Sequence, residues 1–203
     1  MITVKHIERV WTARQYDRLL KELLSARPEA TVRLEAELAG SLPAAALAVV
    51  RLDELGQSHV PLYATLVRAI LAAQNADGGW TDPMQSALCL RALLCGRGHG
   101  EAIDRGLFYL ATMQKSEGVW PAIPFRRMPA DPFASAFILL QLGDQPKFRA
   151  AVRFFDALDW FEQHEHTLEA STRKLWDRAA SRCRLRVAGV DVGASHEVDA
   201  ARR

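Results

Sequence analysis

Apolar positions recur along this chain at steps of three and four, the period of one helix face. Residues 4 to 26 place Val4, Ile7, Val10, Trp11, Leu19, Leu20, Leu23 and Leu24 in that rhythm until Pro28 stops it. The same reading predicts helices near 29–38, 43–55, 60–75, 83–95, 101–115, 132–143, 147–163 and 168–185. Alternating apolar and polar runs are missing and β-branched residues are thin, so strands are not expected. From about Arg186 the chain mixes Gly, Asp, Ser and charge and ends in Arg202-Arg203, the pattern of a frayed tail. The expected organisation is an N-terminal helix over 1–28, a helical repeat domain over 29–185 and a flexible tail over 186–203.

The chain repeats itself. Gln74-Asn75-Ala76-Asp77-Gly78-Gly79-Trp80 matches Gln114-Lys115-Ser116-Glu117-Gly118-Val119-Trp120 at an offset of forty, a shared Q-x-x-x-G-x-W. Each copy follows an amphipathic helix and precedes one opened by Asp-Pro, at Asp82-Pro83 and Asp131-Pro132. Those pairs stand forty-nine apart, so nine extra residues lie between Trp120 and Asp131. The longer step carries Gln114 onto Gln163, where Thr167 and Glu169 replace the Gly and Trp. Forty back from Pro83 lies Pro43, at the head of another apolar helix.

The chemistry of these residues is that of a joint. Asp at an N-cap accepts from an orphan backbone N–H, and Pro at the first helical position has no N–H to lose. Gly78 and Gly118 fall where a helix ends and turns back, a place for positive φ. Each Trp is suited to cover the junction between hairpins, with its indole N–H bonded to a carbonyl. The Gln amide is placed to bridge one helix end to the next helix start. The six residues Gln74, Gly78, Trp80, Gln114, Gly118 and Trp120 read as a structural clasp.

Together with Arg105-Gly106-Leu107-Phe108-Tyr109-Leu110, these motifs resemble the QW repeat of squalene–hopene and oxidosqualene cyclases. Protein prenyltransferase β subunits share the related (α/α) toroid. The resemblance covers residues 64 to 143 directly and implies an all-α fold of repeated helical hairpins forming a partial (α/α) toroid or barrel. In that family the motifs stiffen the outside of the barrel and carry no chemistry. The Asp-x-Asp-Asp acid cluster, the Asp-Asp-x-x-Asp magnesium motif and the Asp-x-Cys of the zinc site are all missing here. The chain also holds fewer helices than a closed toroid needs. A helix from Ser171 onward carries Arg173, Lys174, Asp177, Arg178 and Arg182, and its wet face suits the end of a repeat stack.

Composition narrows the partners. The 203 residues hold 26 Lys+Arg against 24 Asp+Glu, a balance that points to neither nucleic acid nor an anionic membrane. The longest apolar stretches, such as Pro132 to Leu142, fall short of the roughly 18 to 20 residues of a membrane span. Three cysteines without a paired framework, and no leader-like start, make a reducing cytoplasm the expected location.

Four places invite a functional reading. Asp82 and Asp131 would head inner helices and are the candidates for an acid or cation-binding role, although capping explains both. Cys89, Cys95 and His99 hold potential zinc donors, but the spacing matches no standard site and no metal is expected. His164 and His166 flank Glu165, with Glu162 one turn earlier, and read as a solvated helix end. The inserted loop Pro121–Ala130 sets Ile123, Phe125 and Met128 among Arg126 and Arg127. Phe125, Arg126, Arg127 and Met128 form the candidate binding surface, for a partner groove or an anionic headgroup, with folding back over the core as the alternative. The N-terminal helix, with Trp11 and Tyr16 among basic residues, suits docking or covering the end of the array.

The expected function is a non-catalytic helical-repeat protein that binds another protein or its own copy. The alternative is an isoprenoid-processing enzyme or subunit with an apolar central pocket, with Asp82 and Asp131 as its acids. A carrier that holds an apolar isoprenoid without turning it over is the third reading, and no cofactor is identified.

Overall fold

A computed structural model describes residues 40–184 except 97 and 126. The N-terminal helix with Trp11 and Tyr16, the helix at 29–38, Arg126 and the tail from 186 lie outside the described residues. Among those described, the chain is all helical, with eight α-helices and no strand. They run α1 (Leu42–Glu54), α2 (Pro61–Ala72), α3 (Pro83–Cys95), α4 (Gly100–Met113), α5 (Pro132–Leu142), α6 (Pro146–Ala151), α7 (Phe154–His164) and α8 (Ala170–Arg184). They fall into two compact units that divide between Thr112 and Met113.

Proline marks the starts. α1, α2, α3, α5 and α6 each carry Pro in the first turn, where its fixed φ fits and its missing N–H is not needed. In the first unit α1 packs on α2 and α3. α3 buries Ser86, Ala87, Leu88, Cys89, Leu90, Ala92 and Leu93, nearly its whole circumference, so it forms the middle of that unit. α2 and α4 each bury one face, Leu62, Leu66 and Ile70 on α2 and Ile103, Leu107 and Leu110 on α4.

The second unit repeats the scheme around α5, which buries every residue from Ala134 to Leu140. α8 lies against α5 and turns Leu175, Trp176, Ala179 and Cys183 inward. Trp176 stacks on Phe161 of α7 at 4.3 Å. Arg173, Lys174, Asp177 and Arg178 face solvent, so the expected wet face exists. Arg182 reaches Asp144 at 3.2 Å.

One expected helix is broken. The segment read as continuous over 147–163 divides into α6 and α7, with Val152 extended and Arg153 at φ −75°, ψ 72°. The cause is Gln114. Its amide oxygen accepts from the Arg153 N–H at 2.8 Å, and its Nε2 donates to the Arg153 carbonyl at 3.0 Å. A side chain therefore takes the Arg153 N–H that a continuous helix would have bonded to the preceding turn, while the Arg153 carbonyl still accepts from the Ala157 N–H at 3.3 Å. Side-chain periodicity carries no sign of this.

Candidate functional site: two clasps and an exposed loop

The two heptapeptides adopt one local structure. The Lys115 N–H donates to the Val119 carbonyl at 2.8 Å and the Gly118 N–H to the Lys115 carbonyl at 3.0 Å. Asn75, Gly79 and Gly78 make the matching pair at 2.9 and 3.0 Å. Gly78 and Gly118 both sit at φ +88°, as the turn reading expected. Either would also be blocked on space, since a Cβ at Gly78 would lie 2.5 Å from the Arg105 carbonyl oxygen. At Gly118 it would lie 2.5 Å from the Ala157 nitrogen.

Gln74 donates to the Gly78 carbonyl at 2.8 Å and to the Ala102 carbonyl of α4 at 2.8 Å, and Arg105 donates to its oxygen at 2.7 Å. Gln114 donates to the Gly118 carbonyl at 2.7 Å and meets Arg153 on both sides. The bridge thus runs past the following helix, from Gln74 to α4 and from Gln114 to the head of α7, and not to the start of the following helix as expected. The partners Ala102 and Arg153 stand fifty-one apart. Gln163, where the longer step along the chain leads, is exposed near the end of α7.

Both tryptophans are fully buried. The Trp80 indole donates to the Ile70 carbonyl at 2.9 Å, and Trp120 stacks with Phe148 at 6.0 Å. Two serines complete the joint. Ser86 accepts from the Trp80 N–H at 2.9 Å and Ser135 from the Trp120 N–H at 2.8 Å. Each serine hydroxyl donates to the carbonyl of its own Asp, Asp82 or Asp131, at 2.8 Å. Sequence reasoning passed over them, although Asp82-Pro83-x-x-Ser86 and Asp131-Pro132-x-x-Ser135 repeat in plain view.

Asp82 and Asp131 are N-caps, accepting from the Gln85 and Ala134 N–H groups at 2.8 Å. Burial raises the Asp82 carboxyl above its ordinary range, against the lowering effect of the hydrogen bonds from Gln85 and Met84. Tyr109, pushed up to about 12 chiefly by burial, also feels the Asp77 and Asp82 charges. Cys89 is buried and its thiol strongly raised, and Cys95 is pushed up to about 11 by burial first and by Asp53. No group of three His, Cys, Asp or Glu side chains is placed to hold a metal among the described residues. His164 stacks on Trp160 at 4.4 Å, and His166 is exposed.

The inserted loop is pinched at its base, where the Asp131 N–H donates to the Trp120 carbonyl at 2.8 Å. Inside it, the Phe125 N–H bonds the Ile123 carbonyl at 2.8 Å and the Met128 N–H the Phe125 carbonyl at 3.0 Å. Pro121 is buried, but Ile123, Phe125 and Met128 are 45%, 66% and 38% exposed, and Arg127 is exposed with them. The loop does not fold its apolar side chains onto a core. No helix of the described residues is long and apolar enough to cross a membrane. Comparison with protein families, curated proteins and solved structures finds no match for this chain.

Proposed function

We propose that this chain is a non-catalytic helical-repeat interaction protein on a terpene-cyclase- or prenyltransferase-like (α/α) scaffold, acting in the cytoplasm. Its binding element is the loop Pro121–Ala130. One observation carries the reading: three large apolar side chains and an arginine stand in solvent on a short, proline-stiffened loop with a closed base. Exposed aromatic, methionine and arginine side chains are the anchors that protein interfaces favour. The clasp residues are occupied with backbone groups and are assigned to stability alone.

The alternative reading, an isoprenoid-processing enzyme, draws on Asp82. A carboxyl raised by burial is the kind that donates a proton to an apolar substrate. Native mass spectrometry of freshly purified protein separates the two. The interaction reading expects protein complexes that are lost in Phe125→Ser/Met128→Ser, and no retained apolar mass. A stoichiometric apolar mass, with isoprenoid turnover abolished by Asp82→Asn or Asp131→Asn, would replace it with the enzyme.

A further inference from the structure

The first unit carries a recess of about 720 Å³ on the outer side of α4. Its wall is the Gly78 turn, and its rim holds Asp77, Glu101, Asp104, Arg105 and Phe108. By formal charge the rim holds three carboxylates and one guanidinium, the Asp77 carboxylate accepting from the Gly79 N–H at 3.0 Å and the guanidinium bonding Gln74 at 2.7 Å. Phe108 stands 70% exposed beside them. The rim is therefore acidic with an open ring face, a setting that attracts a cation and an apolar side chain together.

The loop Pro121–Ala130 offers the complement. It contains Arg126 and Arg127 and no acidic residue. Phe125 is 66% exposed, so neither Phe125 nor Phe108 is covered among the described residues. We propose that this recess receives the loop carrying Phe125 and Arg127 of a second copy, with the rings of Phe108 and Phe125 in contact and Arg127 against Glu101. The contact is heterologous, because the two surfaces are different patches on the same molecule. It leaves one recess and one loop free at the ends of any open chain of copies. The proposal rests on the loop being the binding element and names its occupant.

Sedimentation velocity of the full chain from about 1 to about 100 μM, a range suited to micromolar association, tests it. Wild type is expected to associate, less so as salt rises, because exposed charges are screened. Phe125→Ser/Arg127→Glu disables the loop and Phe108→Ser/Glu101→Lys disables the recess, and each variant alone should sediment as monomer. All four positions are exposed, so circular dichroism melts should stay cooperative, the recess variant melting slightly lower because Lys in the first turn of α4 opposes the helix dipole. Mixing the two variants should restore a one-to-one dimer, since each supplies what the other lacks. A wild type that stays monomeric throughout, or a mixture that stays monomeric, overturns the proposal. Association lost with the loop variant but untouched by the recess variant also overturns it, while leaving the loop as the binding element. Association indifferent to both variants removes the loop reading as well.

Discussion

At the scale of single residues, the amides of Gln74 and Gln114 do the same work in different surroundings. Gln114 is buried to 9% exposure, and its removal would take their partner from the Gly118 carbonyl and the Arg153 N–H, while the Arg153 carbonyl keeps the Ala157 N–H. Gln74 is half-buried, so water can replace part of what it supplies. We expect Gln114→Ala to cost about 2–3 kcal/mol in urea unfolding and Gln74→Ala clearly less. Equal losses would show that burial does not set their weight. Asp82 supplies a second test at this scale. Its folded carboxyl titrates above the unfolded value, so the folded state holds its proton longer and stability falls as pH rises through that window. Asparagine caps as well as aspartate without carrying charge. Asp82→Asn should therefore gain on wild type as pH rises above the ordinary carboxylate range, where the unfolded chain has lost its proton and the folded carboxyl still holds one. A difference that stays flat or reverses with pH would mean that the hydrogen bonds outweigh burial.

Among the elements, the starts of helices were the most legible, because Pro43, Pro83 and Pro132 announce them in the chain itself. The two clasps were legible as a recurring motif, and their glycines as a demand for positive φ. What stayed hidden was set by long-range bonds. The break at Val152–Arg153 depends on Gln114, thirty-nine positions away, and apolar spacing within 147–163 records nothing of it. The serine partners of the Trp N–H groups were written in the sequence as D-P-x-x-S, but their meaning needs the tryptophan beside them. The loop's exposure was left open by sequence, since Ile123, Phe125 and Met128 suit a core as well as a surface. The first joint, where only Thr81 separates Trp80 from Asp82, gives a template for removing the second's insertion. Replacing residues 121–130 by a single threonine should leave helical content intact. The melting temperature should move by no more than about 5 °C, the shift that roughly 1 kcal/mol produces in a domain of this size. Loss of the cooperative transition would show that the loop supports the core.

On the scale of the whole molecule, two units are each organised around a helix buried on nearly every side, α3 in one and α5 in the other. The outer helices keep one face for solvent, and two of them spend it unusually. Phe108 on α4 and Phe155 on α7 are 70% and 67% exposed, both on the helices that the glutamine clasps hold. A near-neutral total charge conceals local polarity, acidic around α4 and basic in the loop. That separation, more than any net charge, is what distinguishes a sticky surface from a selective one. The hydrogen bond between the Trp120 carbonyl and the Asp131 N–H has a consequence for how such a chain changes over generations. It brings the ends of the insertion together, so what lies between them can lengthen at little entropic cost. If the loop is the binding element proposed above, sequence drift there would alter what the protein recognises and leave the buried joint untouched, making this bond a port through which new specificity enters the scaffold.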